Sequence, residues 1–238
     1  MKGLRLDRLL ANLGYGSRRE IPPIVAAGRV ALRGVPLLRP EQNIAPDDLR
    51  SGTLTLDGDP LDPPAPLTVM LHKPAGFICS HDERGDLVYD LLPQRWKNRR
   101  PALSCAGRLD KESTGQVILT DDGELLHRII QPKRHAAKRY AVTVAWELRG
   151  DEAALFASGT FLIENDTKPL KPAVWTPDGP TSGTMILQEG RFHQIRRMFE
   201  MLNNRVVTLH RFQTGDLALG SLAEGEYRVL GEDEVGRI

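Results

Sequence analysis

Sulfur is scarce in this 238-residue chain. Its two cysteines, Cys79 and Cys105, are too few for a disulfide framework and fit a reducing compartment, the cytoplasm. Long apolar runs are missing too. No stretch approaches the roughly 18 consecutive apolar residues of a membrane span, and Met1-Lys2-Gly3-Leu4-Arg5 lacks the apolar core and cleavage site of a signal peptide. Six histidines and two cysteines show no paired ligand spacing, so no metal site is expected. A phosphate loop ending in Gly-Lys-[Ser/Thr] is absent from Gly107–Gly115, and there is no Gly-x-Ser-x-Gly elbow of a serine hydrolase. What remains is 40% hydrophobic and 26% charged, the composition of a soluble globular chain. The length suits one large domain, or a small one followed by a medium one.

A surplus of one sign is also lacking overall, since the net charge is +1. The distribution is uneven, however. Residues 1–39 hold eight Lys/Arg against two acids, and residues 91–140 hold eleven against five. Two basic stretches on a neutral chain suit a phosphate backbone met at two places. Ordinary solvated surface charge would give the same composition.

Leu6, Leu9, Leu10 and Leu13 recur at helical spacing before Gly14, and Ser17 is placed to cap a second helix with Arg18, Arg19 and Glu20 in its first turn. Pro22-Pro23 compromises that helix unless the pair lies within the first turn. Gly28–Gly34 reads as a strand and turn, and Thr53–Gly58 as another. Four prolines between Pro60 and Pro66 then read as a semi-rigid linker. Beyond it, Leu67–Leu71 and Val117–Thr120 are apolar strands, and Glu124–Ile130 is an amphipathic helix with Leu125, Leu126, Ile129 and Ile130 inward, stopped by Pro132. Arg139–Trp146 alternates as a strand, with Tyr140, Val142, Val144 and Trp146 on one side. Ile195, Met198, Phe199 and Leu202 form one helical face, opposite His193, Arg196, Arg197 and Glu200.

The polar stretch Cys105-Ala106-Gly107-Arg108-Leu109-Asp110-Lys111-Glu112-Ser113-Thr114-Gly115 stands among these. Asp110 alone could simply cap a turn. A carboxylate on a glycine-edged loop near many cations is also suited to work on a polyanion.

Gly107–Asp110, Ser113-Thr114-Gly115 and Leu119-Thr120-Asp121-Asp122-Gly123 resemble the catalytic motif of pseudouridine synthases. Lys73-Pro74-x-Gly76, Lys138-Arg139-Tyr140 and Gly190-Arg191-x-His193-Gln194-x-Arg196-Arg197-Met198 follow in family order. The likeness is to the ribosomal small-subunit pseudouridine synthase A family and covers essentially the whole chain. His72 stands where that family usually has Asn, and reads as a hydrogen-bonding substitute. The N-terminal helix, Gly, Ser-Arg-Arg and Gly-Arg-Val pattern resembles the S-four RNA-binding domain, from which the proline pair departs.

The resemblance implies an α+β chain. A small S-four-like α/β RNA-binding domain would span 1–60, a Pro-rich linker 61–66, and a mixed, mainly antiparallel-sheet synthase domain 67–238. It implies an isomerase that moves the ribose link of one rRNA uridine from nitrogen to carbon. Asp110 would be the catalytic carboxylate, Arg196 its counterion and Tyr140 the ring stacked on the base. Arg108, Lys73, Arg191 and His193 would bind substrate, and Arg5, Arg8, Arg18, Arg19 and Arg29 would contact RNA. No cofactor and no metal are implied, because no oxidation state changes. The Thr167–Ala173 stretch resembles the Thr-Lys-Pro-Ala of the small-subunit branch, which favours 16S rRNA, free or in a small-subunit assembly particle. The expected protein is a cytoplasmic monomer with no membrane partner. A 23S rRNA synthase and a non-catalytic RNA-binding or ribosome-assembly factor are the alternatives. The latter would not need Asp110, Tyr140 and Arg196 together.

Overall fold

The leucine repeat at the N-terminus sets the first core. In the computed structural model, which describes residues 3–130, 136–164 and 166–238, β1 (Leu4–Arg5) runs into α1 (Leu6–Asn12), with Leu6, Leu9 and Leu10 buried. Ser17 does not cap the next helix as the sequence suggests. Its N–H donates to the Glu20 carboxylate at 2.7 Å and its carbonyl accepts from Glu20 and Ile21, making a turn. Only then does α2 (Ile21–Ala26) begin. Pro22 and Pro23 thereby fall in its first turn, where backbone N–H groups have no intrahelical acceptor to lose.

β2 (Val30–Leu32), β3 (Val35–Pro36), β4 (Asn43–Ile44), α3 (Pro46–Arg50), β5 (Leu54–Leu56) and β6 (Asp59–Pro60) follow. Four of these strands form an antiparallel sheet in the order β3-β2-β5-β6, while β1 pairs with β4. Both tight hairpins turn on residues of positive φ, Arg33-Gly34 and Asp57-Gly58, which matches the twist of the flanking strands. Leu6, Leu10, Ile21, Val25, Val30 and Ile44 are at most 2% exposed at the centre.

By its contacts the chain divides into two units. The first takes the chain up to Leu67 together with Leu92–Ser104 and Thr120–Asp122; the second takes the rest. Asp62, inside the proline-rich stretch, is fixed by a two-pronged pair with Arg95 at 2.5 and 2.7 Å, and its N–H donates to the Tyr15 hydroxyl.

The larger sheet is built from β7 (Thr68–Lys73), β8 (Ser104–Cys105), β9 (Thr114–Thr120), β10 (Lys138–Val144), β11 (Val174–Pro177), β12 (Ser182–Leu187), β13 (Val206–Thr214), β14 (Leu217–Ala218) and β15 (Tyr227–Val229). Its main path is β11-β12-β10-β13-β9-β7-β15, with β8 beside β9 and β14 beside β13. The pairs β11–β12, β12–β10, β10–β13 and β7–β15 are antiparallel, and β13–β9 is parallel. Helices α4 (Gly123–Ile130), α5 (Glu152–Ala157) and α6 (Gln194–Glu200) accompany it. Two expectations fail at element ends. Ile130, in the last turn of α4, is 51% exposed, and Trp146 is 58% exposed because β10 stops at Val144. Pro132 lies outside the described residues. Among the described residues, no helix is long and apolar enough to cross a membrane.

Candidate active site

The polar loop between β8 and β9 is held from behind by two buried cations. Lys73, at the end of β7, is fully buried, and its ammonium donates to the carbonyls of Pro74, Lys111 and Ser113 at 2.9, 3.1 and 2.6 Å. Burial pushes its pKa down. Arg211, on β13 and 2% exposed, donates to the carbonyls of Gly107, Arg108 and Gln116 at 3.1, 3.3 and 2.7 Å. Lys73 was expected to touch substrate; it instead fixes the loop's backbone. The sequence assigns Arg211 no role at the site.

Gly115 makes this grip possible. It is the second residue of β9, at φ +110°, and a Cβ there would lie 2.2 Å from the Arg211 carbonyl oxygen. Only glycine lets β13 come so close at the point where Arg211 pairs with it.

On the front of the loop, Asp110 faces a cleft of about 710 Å³, lined by Arg108, Tyr140, Arg191, Phe192 and His193 among others. Arg196 reaches the carboxylate from α6, with Nε 3.5 Å from Oδ2, while its Nη2 donates to the Ser113 hydroxyl at 3.2 Å. Nε makes no hydrogen bond, so the contact is an ion pair rather than a directed fork. His193 Nε2 lies 3.5 Å from the other oxygen, Oδ1. His193 sits at the N-cap of α6 in the left-handed region, φ +50°, a strained setting for a side chain. Its ring stacks on Phe192 with centroids 3.8 Å apart, and Phe192 is 76% exposed at the rim. Sequence reasoning passed over Phe192, although an exposed aromatic inside a basic motif is a signal in itself.

Tyr140 is 7% exposed and lines the cleft from β10. The pairing of β10 with β13 shifts register between Arg139 and Tyr140. Arg108 is exposed on the near side, 3.4 Å from Glu83. Arg191 is not free for a ligand. Its guanidinium donates to the Asp166 carboxylate at 2.7 Å and to the carbonyls of Lys168 and Pro169 at 2.7 and 2.6 Å. Arg197 also binds Asp166, at 3.0 Å, and donates to the Glu164 carbonyl. These bonds hold the Asp166 carboxyl below its usual range, Arg191 contributing most. His72 Nδ1 donates to the Leu222 carbonyl, 2.8 Å away, a hydrogen-bonding place as expected.

The N-terminal arginines divide. Arg5 is bound to Asp7 at 2.7 Å and Arg29 to Asp57 through two contacts of 2.8 and 2.5 Å. Arg8, Arg18 and Arg19 are exposed and have no ion pair among the described residues. No cluster of three or more His, Cys, Asp or Glu among the described residues is placed to hold a metal.

Comparison with known proteins gives the class of the chain, an RNA-modifying enzyme. Residues 68–201, more than half the chain, match the model of the RNA pseudouridylate synthase family. The chain belongs to that family of isomerases. It is 37% identical over 240 residues to the ribosomal small subunit pseudouridine synthase A of Escherichia coli (strain K12), covering 99% of this chain and 100% of that one. An "uncharacterized RNA pseudouridine synthase" of Bacillus subtilis (strain 168) is 36% identical over 236 residues, 98% of this chain and 97% of the relative. Among solved structures, the crystal structure of a pseudouridylate synthase aligns over 98% of this chain and 99% of its own, at 34% identity and a TM-score of 0.68.

Proposed function

We propose that the chain isomerises one uridine of 16S ribosomal RNA, with Asp110 as the catalytic carboxylate. The observation that carries this is the placement of Asp110 between His193 and Arg196, each 3.5 Å away, in a cleft that Tyr140 also lines. The reaction breaks the bond from ribose C1′ to base N1 and forms the bond from C1′ to C5. N1 gains a proton, C5 loses one, and no external group enters. An ionised carboxylate beside the sugar or base supplies the nucleophile or base. Arg196 offsets the charge that would otherwise make a half-buried carboxylate costly. The target base must leave its stack, and Tyr140 and Phe192 offer faces to replace it. Lys73 and Arg211 act on the loop, not on the RNA.

The small-subunit assignment is supported by the name of the Escherichia coli relative, matched end to end. The N-terminal unit is the S-four-like RNA-binding part in this reading, with Arg8, Arg18 and Arg19 as its available contacts. The test is a pseudouridine map of rRNA from cells lacking the protein. One 16S position should lose its modification, regain it with the unaltered chain, and stay unmodified with Asp110→Asn, which should nonetheless bind 16S rRNA within about twofold of wild type because its phosphate contacts remain. Loss at a 23S position would move the target to the large subunit. Restoration by Asp110→Asn would remove Asp110 from the chemistry. An unchanged map would leave a non-catalytic assembly factor.

A further inference from the structure

The basic run Arg95-Trp96-Lys97-Asn98-Arg99-Arg100 has no part in the cleft around Asp110. It belongs to the N-terminal unit, where it forms one wall of a second groove of about 740 Å³. The other wall is the turn between α1 and α2. Gly14 brings the two walls together. It sits at φ +89°, and a Cβ there would fall 2.1 Å from the Arg95 carbonyl oxygen. The Arg100 N–H then donates to the Asn12 carbonyl at 2.8 Å.

Arg18 lines the groove from one side and Lys97 and Arg100 from the other, and all three are exposed. The lining acid, Glu20, has its carboxylate on the Ser17 N–H. Arg99, 3% exposed, also lines the groove. Its Nη2 donates to the Pro63 carbonyl at 3.0 Å and lies 3.4 Å from Asp121. Its Nε and Nη1 are buried with no hydrogen-bond partner. Leaving buried guanidinium donors without acceptors is costly. Natural folds keep such groups where something else completes them.

We propose that this groove binds the sugar–phosphate backbone of the substrate RNA, with Arg99 supplying donors to one phosphate and Arg18 and Arg100 holding its neighbours. The inference rests on the rRNA-synthase reading and assigns part of the RNA's grip to a segment outside both the catalytic motifs and the S-four-like pattern. A surplus of cations on two facing walls suits a strand of linked phosphates better than a single small anion. The guanidinium planes also match phosphate oxygens in pairs.

The test compares binding of a 16S rRNA transcript by the full chain, by Arg18→Ala/Arg100→Ala, and by Arg149→Ala. Arg149 is also an exposed arginine, and pairs with Asp151 in the other unit. The double variant should bind about tenfold more weakly at 0.1 M salt, and its slope of log affinity against log salt should fall by about 1.4, the worth of two single-strand phosphate contacts. Arg149→Ala should match wild type in both. Wild-type affinity and slope in the double variant would overturn the groove while leaving the enzyme reading intact. Equal weakening by Arg149→Ala would also overturn it, by showing only a diffuse charge effect. If the unaltered chain neither binds the transcript nor forms pseudouridine in it, the parent reading fails instead.

Discussion

Asp166 and Asp110 each lie between two basic side chains at α6, but the contacts differ in kind. Asp166 accepts hydrogen bonds from Arg191 at 2.7 Å and Arg197 at 3.0 Å, whereas Asp110 has Arg196 and His193 at 3.5 Å with no hydrogen bond from either. The first carboxylate has its lone pairs occupied, and it anchors the loop after α5 to the helix. The second is neutralised by proximity while its oxygens stay available. A group that must attack or accept a proton needs the second treatment, because every strong hydrogen bond lowers its reactivity. Contacts of this length also tighten readily when a substrate arrives.

Breaking the looser pair should have the largest effect. Arg196→Ala should lower turnover on 16S transcripts by about 10²-fold, the scale of losing one charge-stabilising group. Arg196→Lys keeps the charge without the planar fork, so a loss of about tenfold is expected. Equal losses in the two variants would mean charge is irrelevant, and wild-type turnover in both would detach Arg196 from Asp110.

Lys138 sharpens the comparison from the side of a cation with no carboxylate. It is 8% exposed, its Cε would lie 3.7 Å from a Cβ at Gly107, and it has no ion pair among the described residues. Burial, then Arg211, lowers its pKa from 10.5 to about 8. Between those values the unfolded chain binds the proton and the folded chain does not, so stability rises with pH across that window. Below it the burial penalty is fully present. Lys138→Met should therefore stabilise the chain at pH 7 by about 2 kcal/mol in denaturant unfolding, and the gain should vanish between pH 8 and 10.5. A gain independent of pH would point to packing instead.

Asp166→Asn should have the smallest effect. Its folded pKa lies below 3.8, so its contribution is present above that value and is lost as pH falls through the lower folded pKa. The variant should melt a few degrees below wild type at pH 7 and match it in strong acid. Its loss of turnover should stay well short of that of Arg196→Ala. A loss as deep would mean the Asp166 anchor also sets the cleft's geometry.

The sequence shows the parts that depend on local pattern. Leucine spacing places α1, alternation places most of β10, and the polar loop with Asp110 is visible as a break between apolar strands. Contacts across long separations were not visible. Lys73 reads as a motif residue, yet its partners are carbonyls 38 and 40 residues further on. Arg5 and Arg29 count as free charge in the composition but are paired with Asp7 and Asp57 in space. Trp146 follows the strand's alternation, but nothing in that alternation says where the ladder ends. Nor does any local signal tie residues 92–104 to the N-terminal unit, since that grouping depends on the close approach of Gly14 to Arg95.

The grip of Arg211 on Gly107 and Arg108 spans 104 and 103 residues of chain. During synthesis, every residue that names the loop is made long before the strand that holds it. Until β13 pairs in parallel with β9, the carbonyls of the loop have only half their support. The loop's geometry is therefore complete only after β13 has been made, and a chain cut short before β13 would carry the family's motifs without the bonds that hold the loop. Such non-local closure is also slow. A mutation that weakens Arg211 would then show itself as delayed activation of newly made protein as well as reduced activity of the mature form.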